Sequence, residues 1–494
     1  MSDSNDGFTQ VLLGSGVVFL GIVLGRALGM GGHILMVRVL SPDLLGTVSL
    51  AYTVVTVLTP AILLGVPSGV TRMIAAGDDS EERLDFARSG YMLLSVTGLI
   101  GAGAVVVFNH QIAAIFDAPG TVSLLPYFAA FLVAKPAAAV TIATVRGYKS
   151  SSRATIARDL VPKIVAVLLF GAILLLTDPV TGAIVYWVVV PFATLAAGLF
   201  LLRDLVPLRR LFTALPRREN LRELFSFSWP LMLESGFLLL MTSFDILALG
   251  YFGTMTEVGY YRSVQPLTVV LLFVLNAFTF LYLPIATEYY EDGAIDDLCH
   301  LYKLSTKWIA LCATPLLLVF ALFSDDIIRV FLSPTYLPAQ TAFVILLLGA
   351  FGRVLVGPNG ATIKAINKTR INLLSSLFGA VMNIVLNIVL IPQYGLVGAA
   401  SATAIGFAAY NSVELVVLYR ELGIQPFSVD LLKPMAALLP IAVLVWFSPD
   451  VTFGFAQLFL TGIGFSILVL AVTVATRSVD FEEIEGLLSM VKER

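Results

Sequence analysis

Apolar residues run along this chain in stretches of about 20, separated by short polar segments, which is the length a helix needs to cross a bilayer. Such windows fall near 11–38, 44–74, 88–109, 122–145, 161–177, 181–202, 225–250, 257–287, 306–323, 338–363, 372–391, 395–419, 432–447 and 453–475. They are too continuous for the alternating segments of a membrane barrel, and each can satisfy its own backbone in hydrocarbon only as a helix. The expected fold is therefore all-α: a polytopic membrane protein of about 14 transmembrane helices. Asp-Pro at Asp178 and Pro-Gln-Tyr-Gly at Pro392 mark the two shortest gaps as turns.

Lysines and arginines sort by parity along this pattern. Loops after even-numbered spans carry Arg83 and Arg88, then 146–163, 203–222, Lys303 and Lys307, 364–370, and Arg420 with Lys433; loops after odd-numbered spans carry only Arg38 and Arg329. The positive-inside rule then places both termini in the cytoplasm, with the plasma membrane as the expected location. The longest internal loop holds Pro207, Arg209, Arg210, Pro216, Arg217 and Arg218, and the pattern recurs on either side of it. Ser41-Pro-Asp-Leu-Leu-Gly46 at the entrance to span 2 answers Thr254-Met-Thr-Glu-Val-Gly259 at the entrance to span 8, and Gly182-Ala183 answers Gly398-Ala399. Two six-helix repeats of one orientation are expected, with a central cavity between them. The layout is a cytoplasmic N-terminus (1–10), an N-lobe (11–203), a basic connector (204–224), a C-lobe (225–420), two extra helices (432–475) and a cytoplasmic tail (476–494).

Composition agrees with a membrane chain: of 494 residues 58% are hydrophobic and 13% charged, and the mean hydropathy is +0.93. The polar opening residues run into the first apolar stretch without a cleavage signal, so the first span is expected to persist. Two cysteines, Cys299 and Cys312, and three scattered histidines support neither a disulfide framework nor a metal site. No phosphate-binding loop, nucleophile elbow or zinc-protease motif occurs, so no enzyme, cofactor or nucleic-acid partner is expected.

Charges inside the spans are costly and so carry the functional reading. Arg26, Lys135, Arg262 and Arg353 sit within spans 1, 4, 8 and 10, a set that suggests a water-filled cavity receiving an anion. His33 lies two turns beyond Arg26 on the same face, while Gly21, Gly25 and Gly29 form a small-residue stripe suited to close helix packing. Glu234 and Asp245 in span 7 are candidates for binding a coupling ion, H⁺ or Na⁺; an ion pair between Asp245 and Arg262 is the alternative. Asn276 can line the path, as can Asn383 and Asn387, or each can bond between helices. Pro60 and Pro67 interrupt span 2, and Pro266 and Pro284 span 8, permitting bends.

Several segments carry a resemblance. Val37-Arg-Val-Leu-Ser-Pro-Asp-Leu-Leu-Gly46, Glu257-Val-Gly-Tyr-Tyr261, Leu281-Tyr-Leu-Pro-Ile285 and above all the run from Asn383 to Thr403 resemble the polysaccharide-biosynthesis or Wzx-like flippases. These belong to the multidrug/oligosaccharidyl-lipid/polysaccharide exporter (MOP) superfamily. The resemblance implies two six-helix lobes around a cationic cavity, and movement of a polyprenyl-phosphate-type oligosaccharide from the inner to the outer leaflet. It also implies membrane lipid and other glycan-assembly proteins as partners. Arg26 and Arg262 fall in the two helices where the related lipid II flippases place important arginines, by helix and depth only. Span 2 lacks a mid-membrane basic residue, which argues against lipid II as cargo. The four intramembrane cations favour a phosphate-bearing cargo over a cationic drug. An ion-coupled drug or metabolite antiporter is the second reading, and a membrane assembly factor or glycosyltransferase the third.

Overall fold

A computed structural model describes residues 2–77, 79–447 and 452–479; the expected tail from 480 onward lies outside the described residues. The described residues form helices and no strands. They divide into two compact units, Met1–Arg262 and Ser263–Arg494.

The first unit opens with α1 (Ser2–Val39), and its second span is broken into α2 (Pro42–Val57), α3 (Thr59–Leu63) and α4 (Val66–Ala76). Then come α5 (Ser80–Val107), α6 (Asn109–Ile115), α7 (Leu125–Gly147), and α8 (Ser151–Thr155) running through a π turn, Ile156–Leu160, into α9 (Val161–Leu176). α10 (Pro179–Leu202), α11 (Leu208–Thr213) and α12 (Arg218–Phe252) follow, and α13 (Met255–Glu291) passes from the first unit into the second. The second unit continues with α14 (Ile295–Leu322), α15 (Ser324–Ile327), α16 (Gln340–Leu355), α17 (Asn359–Ala365), α18 (Thr369–Leu422), α19 (Val429–Trp446) and α20 (Phe455–Ala475). Among the described residues, twelve helical stretches are long and apolar enough to cross a membrane. At 54 residues, α18 would reach about 80 Å if straight, far beyond a hydrocarbon core of about 30 Å. It is broken at Gly395, whose φ of 50° and ψ of −128° leave the helical region. Taking its halves separately and adding α19 is compatible with the fourteen spans expected.

The prolines act differently in the two related spans. Pro67 lacks the N–H that would bond the carbonyl four residues back, and the chain answers with Leu64 and Gly65 at φ of 49° and 68°, so α4 starts afresh. α13 runs unbroken through Pro266 and Pro284. The entrance motifs meet directly. A Cβ on Gly46 would overlap the carbonyl oxygen of Met255, and one on Gly259 would overlap that of Pro42. Aligned motif positions thus touch reciprocally, 42 against 259 and 46 against 255.

α7 is the most buried of the spans and packs against α4, α5 and α10. Its alanines Ala134, Ala138 and Ala143 let those neighbours approach closely. Beyond the connector, α12 packs on α2, α3, α4 and α5, so the compact unit runs on to Arg262. The connector itself is pinned by Asp85 of α5, only 4% exposed, whose Oδ2 accepts bonds from the Arg217 backbone N–H and Asn220 Nδ2, each 2.9 Å. Arg88 lies 3.7 Å from Asp85 and donates to the Arg210 carbonyl at 2.8 Å. Asp85→Ala is expected to destabilise the fold by about 2–3 kcal/mol, because it leaves the Arg217 and Asn220 donors without their acceptor and removes one of the two carboxylates beside the buried Arg88 guanidinium. The thermal midpoint of the detergent-solubilised protein measures this, and an unchanged midpoint would contradict it.

Candidate functional site

Two cavities open within the first unit and share Leu63, Pro67, Ser68 and Lys135 in their linings. The break in span 2 makes them possible, because Leu63, Gly65, Pro67 and Ser68 at the break line one or both. The first cavity, about 580 Å³, is walled by α2, α3, α4, α7 and α12, with Arg262 of α13 in its lining. Its polar lining is mostly hydroxyl: Thr53, Thr56, Thr59, Ser68, Ser235 and Ser243. Tyr52 stacks on Trp187 with centroids 4.6 Å apart and meets Phe131 edge-on at 5.7 Å. The Arg262 guanidinium lies 6.0 Å from the Tyr52 ring and 5.9 Å from that of Trp187, and the Lys135 ammonium lies 5.9 Å from Phe131. Both cations rest on aromatic faces, an attraction that holds them without neutralising their charge.

The second cavity, about 700 Å³, takes its cations from four elements: Arg72 on α4, Lys135 and Arg146 on α7, Arg158 on the π turn, and Lys163 on α9. Asp159 is its only acidic lining residue, and its Oδ2 lies 2.6 Å from Arg158 Nη2. The π turn brings Arg158 and Lys163 together. Residues five apart diverge on an α-helix, but the wider i→i+5 turn sets them near one face, and the Val161 N–H bonds the Ile156 carbonyl in that register. Pro162, lacking an N–H, follows at once and favours the irregularity. α1 braces this segment: Cβ atoms on Gly21, Gly25 and Gly29 would meet Thr155, Asp159 and Lys163 in turn, so the glycine stripe is a packing face.

Of the residues singled out by sequence, Lys135 and Arg262 share one cavity. Arg26 is exposed on α1 and His33 is buried, both outside the two linings. Asp245 is fully buried and accepts a hydrogen bond from the Tyr261 hydroxyl. It also interacts electrostatically with Arg262. Glu234 is half-buried on α12, adjacent to the lining residue Ser235.

Arg353 and Asn276 belong to the second unit. The Arg353 guanidinium sits 5.6 Å from Phe407 and 5.7 Å from Tyr410, and Asn276 is exposed on α13. Asn383 of span 11 bonds across the α18 break, Nδ2 to Thr403 Oγ1 at 3.3 Å, while Asn387 Nδ2 donates within the same half to the Asn383 carbonyl at 2.9 Å. This unit also holds an apolar cavity of about 430 Å³ between α14 and α20, lined by Pro315, Val319, Phe320, Phe459 and Ile463. Sequence reading missed Arg72, Arg146, Arg158 and Lys163 as site residues because each sits near a span end, where a basic residue is ordinary. The Arg-Asp pair before Pro162 was the available signal.

A family model described as polysaccharide biosynthesis protein matches residues 11–289, more than half of the chain, and a second, MatE, matches 230–389. An uncharacterized membrane protein of Methanocaldococcus jannaschii is 26% identical over 357 residues, 66% of this chain and 68% of that protein. The probable low-salt glycan biosynthesis flippase Agl15 of Haloferax volcanii is 24% identical over 196 residues; the match spans 39% of this chain and 41% of that relative. Among solved structures, the lipid II flippase MurJ in an inward closed conformation superposes with a TM-score of 0.72 at 14% identity, covering 93% of this chain and 98% of that one. An inward-facing multidrug resistance MATE family transporter of the MOP superfamily gives 0.65 at 18% identity, covering 82% and 98%. Fold and cavities together define a multi-pass membrane transporter with the MOP architecture. The chain belongs to the polysaccharide biosynthesis protein family of that superfamily.

Proposed function

We propose that the protein flips a lipid-linked oligosaccharide of polyprenyl-phosphate type from the cytoplasmic to the outer leaflet by alternating access, for assembly of a surface glycan. The observation that carries this reading is the pair of joined cavities, with six different lysines and arginines against a single carboxylate in their linings. Cations in a low-dielectric interior are expensive unless an anion meets them, and a phosphate meets them. In this reading Lys135 and Arg262 hold the phosphate, Asp245 orients Arg262, and the hydroxyls and the Tyr52–Trp187 stack offer the surface a sugar ring takes. The apolar cavity between α14 and α20 has the chemistry of a prenyl tail. Arg26, His33, Arg353 and Asn276 enter as further path residues, and Glu234 as the candidate for coupling to H⁺ or Na⁺. The N- and C-lobes divide at 204–224, both termini face the cytoplasm, and the membrane is the plasma membrane. Glycan-assembly proteins are the expected partners. The names of MurJ and Agl15 agree with the reading.

A strain lacking the protein tests it. Lipid-linked oligosaccharide is expected to accumulate facing the cytoplasm while surface glycan is lost. Unchanged lipid pools in a strain without a second flippase would transfer the assignment to the antiporter, which the MatE match over 230–389 supports.

A further inference from the structure

We propose that the second cavity is a separate subsite for an acidic sugar, so that the glycan itself, and not only its lipid phosphate, is anionic. The inference rests on the flippase reading and adds the class of glycan. Among the described lining residues Asp159 is the one carboxylate against five cations: it pairs with Arg158 at 2.6 Å, and Lys135, Arg146 and Lys163 share its attraction without a closer acid in the lining. A phosphodiester brings one negative charge and a diphosphate diester two, and Lys135 with Arg262 in the adjoining cavity already matches either. Arg146 and Lys163 are then in excess, whereas Arg72 also lines a neighbouring cavity with Glu219 and Glu223.

Topology alone does not call for that excess in one place. The positive-inside requirement is met by residues on exposed loops, as by Arg203 and Arg210, whose side chains are 54% and 69% exposed. Arg146 and Lys163 are instead part-buried and drawn into one cavity from two elements, with the π turn spent on bringing Arg158 and Lys163 to a common face. Neutral sugars are bound by hydroxyl, amide and aromatic groups. The first cavity has hydroxyls and aromatics, whereas the second has no aromatic lining residue and its polar lining is mainly guanidinium and ammonium. Guanidinium forks suit carboxylate or sulfate, which they bind in pairs of hydrogen bonds. The four shared lining residues place this subsite next to the phosphate, within reach of one of the first sugars of the chain.

The full-length protein in proteoliposomes tests this with two probes: a short-chain polyprenyl-diphosphate trisaccharide containing glucuronate, and the same molecule with glucose in its place. Wild type is expected to flip the acidic probe about tenfold faster, the effect of one charge-assisted contact. The double variant Arg146→Gln/Lys163→Gln should bring the ratio close to one, and Arg146→Lys/Lys163→Arg should keep it. Equal wild-type rates, or a ratio that survives the glutamine pair, would overturn the subsite while leaving flipping intact. Failure of folded wild type to flip either probe would overturn the flippase reading and this inference with it. Replacing phosphatidylcholine by phosphatidylglycerol should leave the ratio unchanged; its collapse would assign the cavity to a lipid headgroup and overturn the acidic-sugar assignment.

Discussion

Replacing Lys135 by glutamine is expected to lower flipping about 30-fold while leaving the thermal midpoint unchanged or slightly raised. The two readouts move in opposite directions for a physical reason. Lys135 lines both cavities; its ammonium lies 5.9 Å from the Phe131 ring face and is attracted by Asp159, while Lys163 and Arg158 repel it. Holding an ammonium there costs the resting protein free energy, and glutamine removes that cost. A bound phosphate loses a charge-assisted hydrogen bond in the same exchange, about 1.5–3 kcal/mol or some 10- to 150-fold in affinity. A lysine that merely held helices together would behave in reverse, with the midpoint falling and transport following the amount of folded protein. Lys135→Arg should restore part of the rate because the charge is kept, though the planar fork does not reproduce a point charge. A glutamine variant flipping at the wild-type rate would remove Lys135, and with it the joined-cavity argument, from the transport path.

How much of this was legible in the sequence depends on whether a feature is set by periodicity or by packing. The spans were legible because the cost of exposed backbone in lipid leaves a hydrophobic run of this length one structure. The turns at Asp178 and Gly395 were legible as well. Asp178 caps α10 through two bonds to Thr181, at 2.9 and 2.7 Å, and these hold its carboxyl below the ordinary range. The glycine stripe of α1 was readable as a packing face, but its partner was not, since a π turn leaves no periodic trace. For the same reason Arg158 and Lys163 look like residues of an internal loop until the extra residue in the turn aligns them. The broken span 2 and unbroken α13 each carry two prolines. What separates them is Leu64-Gly65, two consecutive residues at positive φ, which composition does not announce beyond the single glycine.

The entrance motifs support the second large effect, on stability and on the conformational cycle together. Gly46→Ala is expected to cost about 3 kcal/mol in the conformation described here, because its Cβ would overlap the backbone carbonyl of Met255, which has no rotamer by which to yield. Gly259→Ala should cost a similar amount through the carbonyl of Pro42. The two positions face one another across the same helix crossing, so either substitution alone forces α2 and α13 apart at this end. The second then meets space already opened. The double variant should therefore cost well under the sum of the singles, a coupling of at least about 1 kcal/mol in a double-mutant cycle on thermal midpoints. The proposed alternating-access cycle makes a further demand on the same contact. If this crossing closes one end of the proposed path, a protein that cannot form it should populate the opposite state more. Cysteine introduced at Leu50, fully buried here, should then label faster with a membrane-impermeant reagent in the Gly46→Ala background. Strict additivity of the two alanines would mean that the glycines serve separate packing needs. Unchanged labelling at Leu50 would mean that the contact is structural and takes no part in opening.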